Sequence, residues 1–324
     1  MIRASVIVVN WNGRPFLQPC LRALKAQTWR GFEVIVVDNG STDGSVELLE
    51  AEFSWVELIR NVENRGFAAA NNQGIRASNA PFVATLNNDA QPEPGWLGAL
   101  VQALESGADV GACASKMLFA DRPEMINSAG IAIDRAGITW DHLGGRTDIP
   151  DETRPQEVFG ACAGAALYRR EMLDQVGLFD EDFFAYLEDV DLAWRAQAAG
   201  WRTLYIPAAR VIHHHSGTSV EGSPFKRRLL GRNKIWLIAK NYPWPHWLWY
   251  GPAVIAYDLG SVLVALLQGN PNPAIGRWWG LLGLPRMLCK REKSGRVVFQ
   301  RMEPLAAPWV VWRRYHHLKN LEKV

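Results

Sequence analysis

The stretch FDEDFFAYLEDVDLAWR, residues 179–195, puts Glu188, Asp189 and Asp191 at a helix start directly behind Phe183, Phe184 and Tyr186. Carboxylates there favour the helix macrodipole, so part of this acidity is ordinary helix chemistry. A carboxylate beside apolar aromatics also has its proton affinity raised, which suits a general base. Asp189 is the residue best placed for that role, with Glu188 beside it. Asp191 precedes Arg195 by four residues and reads as a surface ion pair.

A second cluster begins where an apolar run stops. In FVATLNNDAQPEPGW, residues 82–96, a strand-like segment breaks into Asn87, Asn88 and Asp89 and then into two prolines. Asn, Asp and Pro end a strand and start a turn, which is the plainer reading. The other is that an open α/β sheet binds ligands at the carboxyl ends of its strands, where Asp89 would be aimed at something. VIHHHSGTS, from residue 211, adds His213, His214 and His215, three of the chain's seven histidines. One of them could join Asp89 around a cation. Zinc would want more nitrogen or sulfur, whereas Mg²⁺ or Mn²⁺ bridging a diphosphate suits an oxygen-rich site with one imidazole.

VIVVDNGSTDGS ends another apolar run on Asp38, which could accept the imide N–H of a uracil or thymine ring or make an Asx turn into Asn39 and Gly40. Asn10 closes the first run and opens onto the same crevice. In NRGFAAANNQGIRAS, Arg65 and Gly66 stand at a helix entrance, where small residues allow close backbone approach and an arginine can meet a phosphate. Ala68 to Ala70 read as packing against a sheet.

These residues need a scaffold that brings them to one edge. The first half alternates SVIVVN, PFLQPCLRALKAQ, FEVIVVD, a helix over about residues 43–52, VELIR, GFAAANNQGIRAS, FVATLN and PGWLGALVQALES, an order of βαβαβαβα. Continuous Val/Ile runs are what a sheet covered on both faces requires, so a doubly wound α/β domain is expected. EMLDQVG and LEDVDLAWRAQAAG read as helices, the second closing on Gly200, and TLYIP and RVIHHH as two short strands. No GxGxxG follows the first strand and no GxxxxGK[ST] occurs, which disfavours dinucleotide oxidoreductases and P-loop enzymes.

With 324 residues and 48% hydrophobic content, the chain can build a sizeable core. Four scattered cysteines without CxxC spacing argue against a disulfide framework, and the short apolar run at the start is not a signal peptide's core, so a reducing, cytoplasmic setting is expected. Charge is unevenly spread. Residues 1–225 hold 18 Lys+Arg against 29 Asp+Glu, and residues 226–324 hold 17 against 4, together with eight of the 15 tryptophans. A boundary near Phe225 therefore separates an acidic body, 1–225, from a basic, aromatic tail, 226–324.

Taken together, VIVVNWNG, VIVVDNGSTDGS, NRGFAAANNQGIR, LNNDAQPEPGWL, GLFDEDFFAYLEDVDLAWR and VIHHHSGTS resemble the family-2 glycosyltransferases of the GT-A fold, the rhamnosyltransferase-like branch above all, over about residues 3–220. The resemblance implies a doubly wound mixed sheet and inverting transfer of a sugar, rhamnose being the best match, from a nucleoside diphosphate, and the basic, aromatic tail suggests a glycan or lipid-linked glycan as the acceptor. It makes Asn87-Asn88-Asp89 the family's DXD-type element, with Asn87 where the first acidic residue stands, so that Asp89 is the chief ligand of Mg²⁺ or Mn²⁺. It matches Glu188-Asp189 to the base motif and His213 to the late metal-binding histidine. It also turns Asn10 and Asp38 toward the nucleotide base and leaves Asn87 to contact sugar or ribose, so that Asn10, Asp38, Arg65, Gly66, Asn87 and Asn88 are the expected nucleotide-binding residues.

A processive polysaccharide synthase is a competing reading, but Ala274 stands where its QxxRW element needs Gln before Arg277 and Trp278. A non-catalytic sugar-nucleotide scaffold is another, and the intact Asp189 speaks against it. The tail interleaves basic, aromatic and aliphatic residues in FKRRLLGRNKIWLIAK and GRWWGLLGLPRMLCKR, the composition of helices lying at an anionic membrane surface. WLWYGPAVIAYDLGSVLVALL is long enough to span, but Pro252, Asp258 and two glycines disfavour it. Peripheral attachment to the inner face of the membrane is expected, with a homo-oligomer contact as the alternative use of the tail, and nucleic acid disfavoured by the acidic body.

Overall fold

The computed structural model describes residues 2–149, 153–214, 222–291, 300–305 and 310. Strands β1 (Ala4–Asn10), β2 (Phe32–Asp38), β3 (Glu57–Arg60) and β4 (Phe82–Asn87) alternate with helices α1 (Arg14–Lys25), α2 (Ser45–Glu52) and α3 (Phe67–Ala77). The short β5 (Ala90–Pro92) and α4 (Trp96–Glu105) follow, then β6 (Val110–Phe119), β7 (Ile126–Ser128), β8 (Ile131–Ile133), β9 (Thr139–Asp141), β10 (Gln156–Val158) and β11 (Ala165–Arg169). The body closes with α5 (Arg170–Val176), α6 (Glu188–Ala198) and β12 (Arg202–His213), and the tail forms α7 (Pro224–Asn241), α8 (Trp247–Leu267), α9 (Asn272–Leu282) and α10 (Leu284–Cys289).

The main sheet runs β10-β12-β6-β11-β4-β1-β2-β3, with β5 added to β12 and β7 to β6. β1 is parallel to β2 and β4, while β11 lies antiparallel to both β4 and β6. Val6, Val8, Val34 and Val36 face one way, onto Leu17, Leu21 and Leu24 of α1 and Trp96 and Leu100 of α4. Ile7, Ile35, Val37 and Val83 face the other way, onto Ala68, Ala70 and Ile75 of α3 and Met172 of α5. Both faces are thus covered, which is why these strands read as unbroken aliphatic runs. The chain steps from β1 to β2 and β3 on one side and returns to β4 on the other. The carboxyl tips of β1 and β4 therefore flank the switch-point crevice of the sheet.

TLYIP and RVIHHH are one strand rather than two. β12 runs through Pro207 because a register shift against β6 between Ile206 and Arg210 absorbs the residue that cannot donate to the ladder. His215 lies outside the described residues.

Two further expectations are corrected. Asp191 and Arg195 are not at the surface: both are buried, with Arg195 Nε 2.9 Å from Asp191 Oδ2. Nor does FKRRLLGRNKIWLIAK lie free at an interface. Trp236, Leu237 and Ile238 of α7 are buried in a core shared with Phe183, Val190 and Trp194 of the body. Lys240, on the same helix, places Nζ 2.8 Å from Asp180 Oδ2 and 2.9 Å from Asp191 Oδ2. The first helix of the basic tail thus takes the body's acidic loop as its partner.

A lysine buried between two carboxylates is costly to remove, because the carboxylates stay behind. Lys240→Met is expected to lower unfolding free energy by about 3 kcal/mol, the lower end for losing one partner of a buried pair, since Arg195 and Lys290 still serve Asp191 and Asp180. Urea denaturation checks this, and a loss below about 1 kcal/mol would mean the contact is solvated.

Candidate active site

Register brings the strand tips to one level, pairing Asn10 with Asp38 and Val9 with Asn87. Asn88 Nδ2 donates to Asn10 Oδ1 at 2.7 Å, and Asn10 Nδ2 donates to Asp38 Oδ1 at 3.0 Å and to Ser41 Oγ at 3.1 Å. The Ser41 amide donates to Asp38 Oδ2 at 3.0 Å. Asn10, Asp38 and Asn88 thus form one buried chain across three strand ends. Asp38 makes the Asx-type turn, and each of its oxygens has a second lone pair for another donor. The next residue, Asn39, accepts from the Arg65 amide at 3.0 Å and donates to Asn64 Oδ1 at 2.9 Å, tying the loop before α3 to β2. Arg65 itself is exposed. Gly66 has φ +86°, and a Cβ there would sit 2.6 Å from both the ring and the carbonyl oxygen of Phe184. Its glycine character is therefore explained by the loop that precedes α6.

Asp89 and His213 come together from distant parts of the chain. β12 pairs with β5 so that His213 stands opposite Ala90, and His213 Nε2 lies 3.2 Å from Asp89 Oδ1. Both are nearly buried. Asn127 Oδ1, which only accepts, lies 2.8 Å from His213 Nδ1, so Nδ1 donates to it and Nε2 is the ring nitrogen that faces Asp89. Asn87 Nδ2 approaches the same nitrogen at 3.3 Å. A carboxylate oxygen and an imidazole nitrogen this close share a proton or a cation, and a hard divalent ion fits that donor pair. Among the described residues no three His, Cys, Asp or Glu side chains converge on a metal cage. His214 turns elsewhere, with Nε2 3.0 Å from Gln91 Nε2 and its ring 5.4 Å from that of Phe16.

Asp189 lies in the first turn of α6, after an unusual loop. Phe184, Tyr186 and Leu187 have φ of +65°, +71° and +67°, left-handed values that cost bulky residues about 1–3 kcal/mol each. Such strain persists only where the surroundings over-determine it. Asp189 Oδ1 accepts from the Val190 amide at 2.8 Å and Oδ2 from the Ala163 amide at 3.2 Å. Burial nonetheless pushes its carboxyl up to about 6, against the opposing pull of those two amides. Burial, with the Asp189 charge adding to it, holds Glu188 well above the usual carboxylate range. Asp191 is held down: although burial opposes ionisation, Arg195 and Lys240 outweigh it. Three neighbouring acids thus have distinct tasks. Asp191 is a structural anion, Glu188 is a buried acid, and Asp189 is a carboxyl raised by burial to about 6.

The segment before β11 joins this carboxylate to the strand tips. Ala163 donates to Asp189, and the carbonyl of the next residue, Gly164, accepts from the Asn87 amide at 2.8 Å. A Cβ on Gly164 would lie 3.3 Å from Asn87 Nδ2, and one on Gly160 would lie 2.4 Å from Ala193 Cβ. The small-residue run GACAG, residues 160–164, lets this backbone slip between β4 and α6. Sequence reasoning missed it because its contribution is made by backbone amides, and the run of small residues was the one signal available.

This fold and site define a GT-A glycosyltransferase. Residues 5–177 match the family described as glycosyl transferase family 2, and the chain belongs to that family. It is 32% identical over 235 residues to the N-acetylglucosaminyl-diphospho-decaprenol L-rhamnosyltransferase of Mycobacterium tuberculosis (strain ATCC 25618 / H37Rv), covering 64% of this chain and 75% of that one. It is also 32% identical over 230 residues to the O-antigen biosynthesis protein RfbC of Myxococcus xanthus, covering 65% of this chain and 17% of that larger one. Its fold resembles that of the mannosyltransferase PcManGT from Pyrobaculum calidifontis, solved with GDP-Man and Mn²⁺, with a TM-score of 0.53, 19% identity and coverage of 89% and 85%. It likewise resembles GalNAc-T7, solved with UDP, GalNAc and Mn²⁺, at a TM-score of 0.58 and 18% identity over 74% of this chain, which spans half of that one.

A carboxyl raised by burial contributes stability while protonated and loses it as pH rises through its folded value, here about 6. Asp189→Asn removes that loss. The melting temperature of the variant relative to the parent is therefore expected to rise between about pH 4 and pH 7. A difference independent of pH would place the carboxyl in water.

Proposed function

We propose that this protein is an inverting, rhamnosyltransferase-like enzyme that moves a sugar from a nucleoside diphosphate to a hydroxyl of a glycan or lipid-linked glycan. The observation that carries the reading is Asp189, a half-buried carboxylate with raised proton affinity, held by two backbone amides beside the strand-tip crevice. The names of the relatives support the sugar and the acceptor: one is an L-rhamnosyltransferase acting on a decaprenol-linked diphosphate, another an O-antigen biosynthesis protein.

Asp189 takes the proton of the acceptor hydroxyl as that oxygen attacks the anomeric carbon from the face opposite the diphosphate. The bond to the diphosphate oxygen breaks as the new one forms, through an oxocarbenium-like transition state, and the configuration inverts. Burial, with the Asp189 charge adding to it, raises the proton affinity of Glu188 well above the usual carboxylate range, which favours Asp189 as the working base of the pair. Asn10 and Asp38 receive the nucleotide base, Asn87 and Asn88 the ribose or sugar, and the loop at Arg65 and Gly66 the phosphate side. Asp89 and His213 would hold Mg²⁺ or Mn²⁺, which when bound offsets the negative charge growing on the departing diphosphate.

Asp189→Asn is expected to lower kcat about 10²–10⁴-fold while sugar nucleotides still protect the variant against thermal unfolding. Retained turnover would move the role to another group. Transfer is also expected to stop in excess chelator and to return with Mg²⁺ or Mn²⁺, and undiminished activity in chelator would leave Asp89 and His213 as structural residues.

The acceptor reading extends to the tail, which we assign to the inner face of the membrane. Leu248, Trp249, Ile255, Leu259, Leu263 and Leu267 of α8 and Trp278, Leu281 and Leu282 of α9 are exposed, whereas Gly251 and Val254 of α8 are buried. The outward face is thus aliphatic and aromatic, the reverse of a helix adapted to water. Residues Trp244–Leu267 are long and apolar enough by length and composition to cross a membrane. Asp258, the acid within that helix, is turned to Arg277 at 2.8 Å and Lys234 at 3.1 Å and so stays tied to α7 and α9. That tethering favours a helix lying in the interface. The full chain is expected to float with anionic liposomes at low salt. If it stays in the soluble fraction, the apolar face is an assembly surface between copies.

A further inference from the structure

The loop that delivers Asp189 has its carbonyls turned by three left-handed residues, and α7 receives them. Asn233, fully buried, places Nδ2 2.7 Å from the Tyr186 carbonyl oxygen, 2.9 Å from that of Ala185 and 3.0 Å from that of Phe183. Its other amide atom is committed, because Arg232 Nε donates to Asn233 Oδ1 at 2.9 Å and so fixes which end faces the loop. Arg232 also donates from Nη2 to the Phe183 and Asp182 carbonyls, at 2.8 and 3.1 Å, with its guanidinium 4.2 Å above the Trp236 ring. Two turns further along the same helix face, Lys240 and Asn241 hold Asp191, Asn241 Nδ2 lying 2.8 Å from Asp191 Oδ1. The motif is an Arg-Asn pair followed at eight residues by a Lys-Asn pair, and every member grips the segment 180–191.

On its far side, the same loop reaches the donor half of the crevice. The Phe184 carbonyl accepts from the Ala68 amide at the start of α3, at 3.1 Å, and its ring packs on Gly66. One loop therefore stands between α7, the helix bearing Asp189 and the entrance of α3. We propose that Asn233, aimed by Arg232, is a positioning residue for glycosyl transfer: its amide holds the left-handed loop that delivers Asp189, which makes the first helix of the tail part of the catalytic apparatus. This rests on the reading of Asp189 as the base. Removing the Asn233 donors lets Phe184–Leu187 relax toward ordinary backbone angles, so Asp189 moves away from the Ala163 amide and toward water.

The test uses the full chain with ¹³C-labelled aspartate, comparing the parent, Asn233→Ala, Arg232→Lys and Asp189→Asn. The last identifies the Asp189 carboxyl signal by its absence. The ionisable neighbours of that carboxyl are Glu188 and Asp191 on α6, Asp141 at the end of β9, and Cys162 and Tyr168 beside the GACAG segment, all of which the Asn233 substitution leaves in place. In Asn233→Ala, kcat is expected to fall about 10- to 100-fold, the cost of misplacing a reacting group by about 1 Å, with donor KM within about twofold. The Asp189 titration midpoint is expected to drop from near 6 toward the ordinary aspartate range. Arg232→Lys, which keeps the charge but loses the Nε contact, is expected to shift both in the same direction by less, and it decides the matter if Asn233→Ala does not fold. An unmoved midpoint overturns the proposal whatever happens to the rate, because a scaffold role alone lowers the active fraction without changing the carboxyl's surroundings. A moved midpoint together with an active Asp189→Asn would keep Asn233 as the residue that places Asp189 and remove Asp189 as the base.

Discussion

Keeping a carboxylate half out of water without letting it either solvate or neutralise outright is the constraint on which this molecule turns. Burial alone would drive Asp189 further toward the protonated form, and two backbone amides, from Val190 and Ala163, oppose it and hold the carboxyl at about 6. Those amides come from α6 and from the segment before β11. Their separation is set by the packing of Gly160 on Ala193 and of Gly164 on Asn87, contacts that tolerate no larger side chain without movement. The strand tips, the small-residue segment and the start of α6 are therefore one rigid arrangement.

The same constraint accounts for the uneven charge of the chain. An acidic loop wound through three left-handed residues cannot hold its own conformation, and the lysine, arginine and asparagines of α7 supply the opposing contacts. Lys290, donating to Asp180 at 2.6 Å, and Arg286, paired with Asp182, extend this to the end of α10. Part of the tail's positive charge thus neutralises the body from within. The helices beyond α7 are left with an apolar outer face, and the charged side chains of Asp258 and Arg277 are paired inward.

Much of this was legible in the sequence. Unbroken Val/Ile runs gave the covered sheet, and the abrupt ends at Asn10, Asp38 and Asn87 marked its carboxyl edge, where Asn and Asp serve both to turn the chain and to face the crevice. What stayed hidden depended on contacts between distant residues or on backbone atoms. Asp191 reads as half of a surface pair because Arg195 is four residues away, whereas Lys240, which accounts for its burial, is 49 residues away. Residues 202–213 read as two strands because Pro207 breaks the ladder locally, and only the partner strand reveals the bulge that carries the chain across. The basic residues of α7 read as a membrane-facing surface because charge without a visible partner looks solvated.

The central claim is that Asp189 meets the acceptor hydroxyl on one side of the sugar while Asp89 and His213 meet the cation on the other. A crystal structure of the protein with Mn²⁺, the nucleoside diphosphate product and a glycan acceptor, with data collected for anomalous scattering, tests this directly. The account predicts an anomalous peak bonded to Asp89 and His213 Nε2 and an acceptor hydroxyl within about 3 Å of an Asp189 carboxylate oxygen. An ordered acceptor hydroxyl resting on another group, with Asp189 still bound only to the Ala163 and Val190 amides, would contradict it.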